Sequence, residues 1–318
     1  AMTSTAILAS YGRSNAADDS GLLDEFADGV IAENPVHANF LAASRVALSD
    51  ENRGELIGYL NYCLGRGLTM AYLVDCYNTI VIDTQMEQLY FRKHNRYRCS
   101  SFKEVADRVY FDTDYMSKYM YGLAITSFLW PNHTAMYAFF VGTFPTGARG
   151  TYLEIGPGHG YYFRQAGILG NFDRMVGVDI SAASIALTKD IVERLGVKSH
   201  AKIELIESDF LKMADDELGC SCIVMGEVLE HVEDPAMFLR AIARRSRPDT
   251  HVFITTCVNA PAIDHISLFR TPGEVEDLIQ ANGLHIVEAL GVPYAGKTLQ
   301  ECEAQRLAVN VAYTLRKA

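Results

Sequence analysis

The chain has 318 residues, 49% apolar and 21% charged, which is length for one large domain or two smaller ones and an ordinary balance for a globular protein. Its net charge of −11, from 39 acids against 28 bases, argues against nucleic acid as the main partner. Seven cysteines, at 63, 76, 99, 220, 222, 257 and 302 with no C-x-x-C pair, read as small buried hydrophobes in a reducing compartment rather than disulfides or zinc ligands. With no apolar span of about 18 residues and no charged stretch leading into an apolar signal core, the expectation is a cytoplasmic protein without a membrane partner.

The first 149 residues read as helical. Leu22, Phe26 and Val30 recur at four-residue spacing, and Asn34-Pro35 is a cap and first-turn pair. Asp50 is placed to cap a helix carrying Leu56, Ile57, Leu60 and Leu64, stopped by Gly65 and Gly67. Thr69 opens a long helix to about His94, Ser101 and Glu104 have capping-box spacing, Asp114 starts a helix that ends at Trp130-Pro131, and a further helix runs from Asn132 to about Thr143. Eleven of the 17 tyrosines fall between Tyr59 and Tyr137. A tyrosine hydroxyl needs a partner when buried, so this density suggests a semi-polar cavity as well as a core. Tyr115 and Tyr119 are the candidates for an aromatic wall that favours a cation. Phe144-Pro145-Thr146-Gly147 reads as a linker.

From residue 150 to 318 short apolar runs alternate with helical patterns, the signature of parallel strands joined by right-handed crossovers. Strands are expected at Thr151–Ile155, Arg174–Asp179, Lys202–Glu207, Cys222–Gly226, Thr250–Thr256, Leu284–Leu290 and Arg306–Leu315, with helices starting near Tyr161, Ser181, Leu211, Asp234 and Thr271 and none between the last two strands. After the first strand comes Glu154-Ile155-Gly156-Pro157-Gly158-His159-Gly160, three glycines in five residues. Backbone without a Cβ turns tightly and lets a ligand approach the main chain, and the next helix offers its free amides. This G-x-G-x-G is not the dinucleotide spacing, and Glu154 before it would repel a pyrophosphate but suit a ligand bearing an amino group.

In open α/β sheets ligands bind beyond the carboxyl ends of the strands. There stand Asp179 with Ile180, suited to ribose hydroxyls; Asp209 and Phe210 after the third strand; and Glu227-Val228-Leu229-Glu230-His231-Val232-Glu233-Asp234-Pro235 after the fourth. The glycine loop and this last run resemble the class I S-adenosylmethionine-dependent methyltransferases, small-molecule type, related to the ubiquinone-pathway enzymes. The resemblance implies a doubly wound seven-stranded sheet of order 3-2-1-4-5-7-6 with strand 7 antiparallel; it covers the second half and hardly touches the first 149 residues, whose helices are read here as an all-helical cap region that holds the acceptor. It also implies S-adenosyl-L-methionine as cofactor. Glu154 then approaches the cofactor's amino group, Gly156, Gly158 and Gly160 cradle it, and Asp179 takes the ribose. Asp209 and Phe210 take the adenine, and Glu227 faces the methionine portion.

The implied reaction is in-line transfer of a methyl group to an O, N or activated C of a small metabolite, amino-acid-like or a natural-product intermediate. Orientation supplies much of such a rate, and a hydroxyl acceptor also needs a base. His231, His265 and His133 are the candidate bases; His231 serves equally well as a structural brace. Asn259 and Arg270, in the long loop after the fifth strand, are candidate acceptor contacts, since an arginine can grip a carboxylate bidentately. No H-x-x-x-H pair occurs, so no metal is expected. Aminopropyl transfer on the same fold and a silent cofactor-binding partner protein stay open as alternatives, as does association into a homodimer.

Overall fold

The computed structural model describes residues 19–198, 200–214 and 219–318. Residues near the start, on which the reading of the signal region falls, lie outside these. Two compact units divide the chain. One takes the described part of Ala1–Asp83 with Lys118–Tyr137, the other Thr84–Ser117 with Ala138–Ala318. The units therefore do not split at Gly150. The stretch from Thr84 to Ser117 groups with the sheet because its contacts are to the strand-end loops.

The first unit is helical. Its segments come from α1 (Asp19–Glu33), α2 (Ala38–Ala47), α3 (Asp50–Gly65), α4 (Met70–His94), α6 (Thr113–Leu129) and α7 (Pro131–Thr143), the last three passing out of it. α3 starts one residue earlier than expected: Ser49 is the cap and accepts from the Asn52 amide at 3.0 Å, leaving Asp50 in the first turn where its charge suits the helix dipole. Phe26, Leu60, Tyr77, Ile125 and Phe128 are fully buried. Tyr77 satisfies its buried hydroxyl twice, accepting from Trp130 Nε1 at 2.9 Å and meeting His37 Nε2 at 2.7 Å. Gly122 is required by packing, since a Cβ there would lie 2.6 Å from the Cys76 carbonyl.

The second unit holds a seven-stranded sheet of β1 (Thr151–Ile155), β2 (Arg174–Asp179), β3 (Lys202–Glu207), β4 (Cys220–Gly226), β5 (Ser246–Val258), β6 (Leu284–Val292) and β7 (Val309–Lys317). Its order is β3-β2-β1-β4-β5-β7-β6, parallel except for β7, which is antiparallel to both neighbours. Helices α8 (Tyr161–Leu169), α9 (Ala182–Leu195), α10 (Pro235–Arg245) and α11 (Pro272–Ala281) flank it. Central strands such as β1, β2 and β4 are almost wholly buried, as continuous apolar runs in a two-sided parallel sheet must be. Before them, α5 (Phe102–Val105) keeps the expected capping box of Ser101 and Glu104 and runs into a π turn at Ala106–Tyr110.

Two expected features change. The last two strands are separated by a helix, α12 (Leu299–Gln305), whose capping box of Thr298 and Glu301 overrides the reading of a bare hairpin. The helix expected from Leu211 is a 3-10 turn over Phe210–Lys212, set by the Asp209 side chain accepting from the Leu211 amide at 2.9 Å.

Candidate functional site

Three central strands end in left-handed backbone: β1 in Gly156 (φ 69°), β4 in Glu227 (φ 53°) and β5 in Asn259 (φ 48°). For the two residues that are not glycine such geometry costs of order 1–3 kcal/mol, and outliers of this kind collect at binding sites. Here they sit side by side at the ligand-binding edge of the sheet. Glu227 is held there by its amide, which donates to the Thr255 carbonyl at 3.0 Å and to Thr255 Oγ1 at 3.1 Å.

The glycine turn is a cradle that side chains cannot fill. A Cβ on Gly156 would lie 2.9 Å from Val228 Cγ2, and one on Gly160 (φ 84°) 2.6 Å from Thr188 Cα. Gly158 donates its amide to Asp179 Oδ2 at 3.3 Å, while Ser181 donates to Oδ1 at 2.9 Å, so the β2 carboxylate closes the turn from beside. Burial pushes the Asp179 carboxyl up to about 6, opposed by the Ser181 and Gly158 amides. Glu154, 3% exposed in the middle of β1, has a buried Oε2 without a hydrogen bond, and burial raises its carboxyl to about 8. An orphaned buried carboxylate oxygen below a glycine cradle is the arrangement an ammonium group would satisfy. The residues present thus fit a nucleoside carrying an amino acid.

Beside the cradle lies a cavity of about 540 Å³. Ile180, Glu207, Ser208, Asp209, Leu211 and Lys212 line one side, Val232, Glu233, Asp234, Met237 and Phe238 another, and Phe102 and Phe111 a third. Phe210 is turned away. It is 3% exposed in the core, with the Arg245 guanidinium 4.7 Å above its ring, because the 3-10 turn points it inward and presents Leu211 instead.

The β4 and β5 loops then bring together a polar cluster. His231 Nδ1 lies 3.1 Å from the Asp264 carbonyl, 3.2 Å from Asp264 Oδ2 and 3.0 Å from the Tyr110 hydroxyl. A carbonyl only accepts, so Nδ1 carries a proton. Nε2 makes no hydrogen bond among the described residues and stands 3.8 Å from Glu230 Oε1. Glu230 is fully buried, takes a 2.6 Å hydrogen bond from Thr256 Oγ1, and is pushed up by burial and by Glu227, which favours its neutral form. His265 packs edge-on to the His231 ring at 4.8 Å and donates from Nδ1 to the Ala260 carbonyl at 2.6 Å. Burial and the neighbouring His231 lower it to about 4. It packs against the His231 ring and is tied to the β5 loop by that bond.

Two trios, Glu230–Cys257–His265 and His231–Asp264–His265, place atoms of metal-binding type within 4.8 Å of one another.

The remaining candidates lie elsewhere. His133 belongs to the other unit, where Nδ1 meets Thr126 Oγ1 at 2.9 Å and its ring lies 5.1 Å from that of Trp130. The two tyrosines are split between units, Tyr115 in the second and Tyr119 in the first. Arg270 is exposed and spends its guanidinium on Asn95, donating to Oδ1 at 3.0 Å and to the carbonyl at 3.1 Å. Asn259 donates from Nδ2 to the Arg270 carbonyl at 3.0 Å and so shapes the loop. The sequence reading missed Asp264 and Tyr110. Asp264 directly precedes a singled-out histidine, a signal available in the loop; Tyr110 carried none.

The strand order and a cleft beyond the ends of β2, β3 and β4 are those of a Rossmann-like sheet that holds its ligand at the strand ends. Comparison with known proteins agrees, since residues 134–289 match the family described as a methyltransferase domain. Two relatives are ubiquinone biosynthesis O-methyltransferases: that of Marinobacter nauticus, 24% identical over 164 residues (45% of this chain), and that of Aeromonas salmonicida, 32% identical over 130 residues (32% of this chain). The aligned regions span 66% and 54% of the lengths of these relatives. The mitomycin 7-O-methyltransferase MmcR shares the fold at a TM-score of 0.53 and 14% identity, over 78% of this chain and 70% of its own. Residues 134–289 thus resemble a methyltransferase domain.

Proposed function

We propose that the chain transfers a methyl group from S-adenosylmethionine to a hydroxyl of a small molecule. The observation that carries the choice of oxygen is the His231–Asp264 pair, which engages Nδ1 and leaves Nε2 without a hydrogen bond among the described residues. A neutral amine needs no base, whereas a hydroxyl acceptor must lose its proton as it attacks. When bound, the cofactor supplies a methyl group already activated on sulfonium. Glu154 is placed for its ammonium and Asp179 for its ribose. The wall from Glu207 to Leu211 takes its adenine. His231 Nε2 accepts the acceptor's proton while Asp264 holds Nδ1 and stabilises the imidazolium that forms. Net charge and the apolar side of the cavity favour a small apolar acceptor over a nucleic acid.

Among the described residues no helix is long and apolar enough to cross a membrane. The test is calorimetric titration with S-adenosylmethionine and S-adenosylhomocysteine, followed by methyl incorporation across a panel of small phenols, aliphatic alcohols and amines. Binding of both with label entering hydroxyl compounds is expected. Binding of neither overturns the reading, and label entering only amines overturns the choice of oxygen.

A further inference from the structure

Tyr110 reaches His231 from a part of the chain that no strand-end pattern covers. It closes the π turn at Ala106–Tyr110, and single π turns recur where a side chain must be re-aimed by one position. Its hydroxyl lies 3.0 Å from His231 Nδ1 and 3.3 Å from Asp264 Oδ2. Since Nδ1 must donate, the tyrosine oxygen accepts from it and passes its own proton toward the Asp264 carboxylate. The same short segment forms a wall of the nucleoside cavity. Phe102 and Phe111 line that cavity, and the Phe102 ring stacks on Tyr110 at 5.6 Å and 9°. The Phe102 amide donates to Glu233 Oε1 at 2.8 Å, anchoring the segment to the loop after β4.

We infer that Tyr110 is a positioning residue for the base: it bridges His231 Nδ1 and Asp264, holds the ring with Nε2 toward the acceptor, and does so from the segment that walls the cofactor cavity. This rests on the reading of His231 as base. The segment from Phe102 to Phe111 then acts as one piece, so a ligand that seats Phe102 and Phe111 also steadies the imidazole. No other hydroxyl among the described residues bonds Nδ1, which leaves the Asp264 backbone carbonyl and carboxylate to hold the ring alone when Tyr110 is removed.

The test is Tyr110→Phe in the full chain, which keeps the ring stacked on Phe102. Three measurements are made: S-adenosylhomocysteine binding by calorimetry, kcat and KM over pH, and the imidazole nitrogen spectrum of 15N-histidine-labelled protein. Unchanged nucleoside binding is expected, with kcat lowered about tenfold, KM for the cofactor within about twofold, and a displaced acid limb of the pH profile. The His231 nitrogen signals should move and broaden, with Nδ1–H retained by Asp264. An unaltered His231 spectrum with unaltered kcat overturns the inference. A wild type that transfers no methyl group, yet shows the moved His231 signals in the variant, overturns the proposed function and leaves the positioning role standing.

Discussion

Gly158 and Asp179 are joined by a hydrogen bond, the glycine amide donating to the carboxylate at 3.3 Å across the ends of β1 and β2. The bond makes the glycine turn and the β2 carboxylate one unit, 21 residues apart in the chain. Asp179→Asn keeps the shape but reverses the donor sense of one side-chain atom and removes the charge. Cofactor affinity should fall by about tenfold to a hundredfold, read by calorimetry, with less than about 1 kcal/mol change in unfolding free energy.

Glu154 links stability to pH. Its folded value of about 8 lies above the ordinary 4.5, and that of Asp179, about 6, above 3.8. An acid raised in the fold binds more protons folded than unfolded between the two values. Its contribution is therefore full below the unfolded value and is lost as pH rises through the folded one. The unliganded protein should lose stability from about pH 5 to about pH 8, by on the order of 1 kcal/mol per unit for each group while it titrates. Glu154→Gln should flatten the upper part of that slope and raise Tm at about pH 8 while weakening cofactor binding. A melting series showing the same slope in the variant would remove Glu154 as its source.

Gly160 tests the cradle itself. At φ 84°, with a Cβ that would meet the Thr188 backbone at 2.6 Å, alanine is excluded twice, by its own backbone preference and by its neighbour. Gly160→Ala should cost about 2 kcal/mol or more in denaturant unfolding, and nucleoside binding should go with it. A substitution at Gly142 in α7, where a Cβ meets nothing within 4 Å, is the control and should be close to neutral.

His231→Ala and Asp264→Asn separate base from holder. Removing the imidazole should lower kcat by about a hundredfold or more with S-adenosylhomocysteine binding unchanged. The asparagine can accept at Oδ1 but carries no charge, so a smaller loss of about tenfold is expected. Equal kcat in His231→Ala and the wild type would take His231 out of the chemistry.

Arg270 gives the opposite expectation to a substrate clamp. Its guanidinium is engaged by Asn95, itself at φ 52°, so Arg270→Ala should cost less than about 1 kcal/mol and leave kcat/KM within about threefold for any acceptor. A rise in KM of more than about tenfold, confined to carboxylate-bearing acceptors, would restore the clamp.

Most of this fold is written locally. Apolar runs five to seven residues long between turn residues set the central strands, and caps such as Ser181, which accepts from the Ser184 amide, set the helices. The glycine turn and the Glu227–His231 run are contiguous, so their chemistry is legible wherever they fall. α12 was also legible, since Thr298 and Glu301 hold the capping-box spacing, but seven residues carry too little periodicity to stand out. Phe210 was misread because pattern shows that an aromatic is present, not which way a 3-10 turn aims it.

What the sequence determined by itself, then, is the set of elements and the strand-end residues that make a cofactor cradle. What only the tertiary structure decided is the polar cluster around His231. His231, Asp264 and Tyr110 come together from the β4 loop, the β5 loop and a π turn more than a hundred residues earlier. Periodicity records which face of each element is buried and leaves no trace of which loops meet, because that choice is made by strand order and packing among elements far apart in the chain. Histidines alike in the sequence were sorted in the same way: His265 became desolvated beside His231, His133 fell in the other unit, and His231 took Asp264 and Tyr110 as partners at Nδ1.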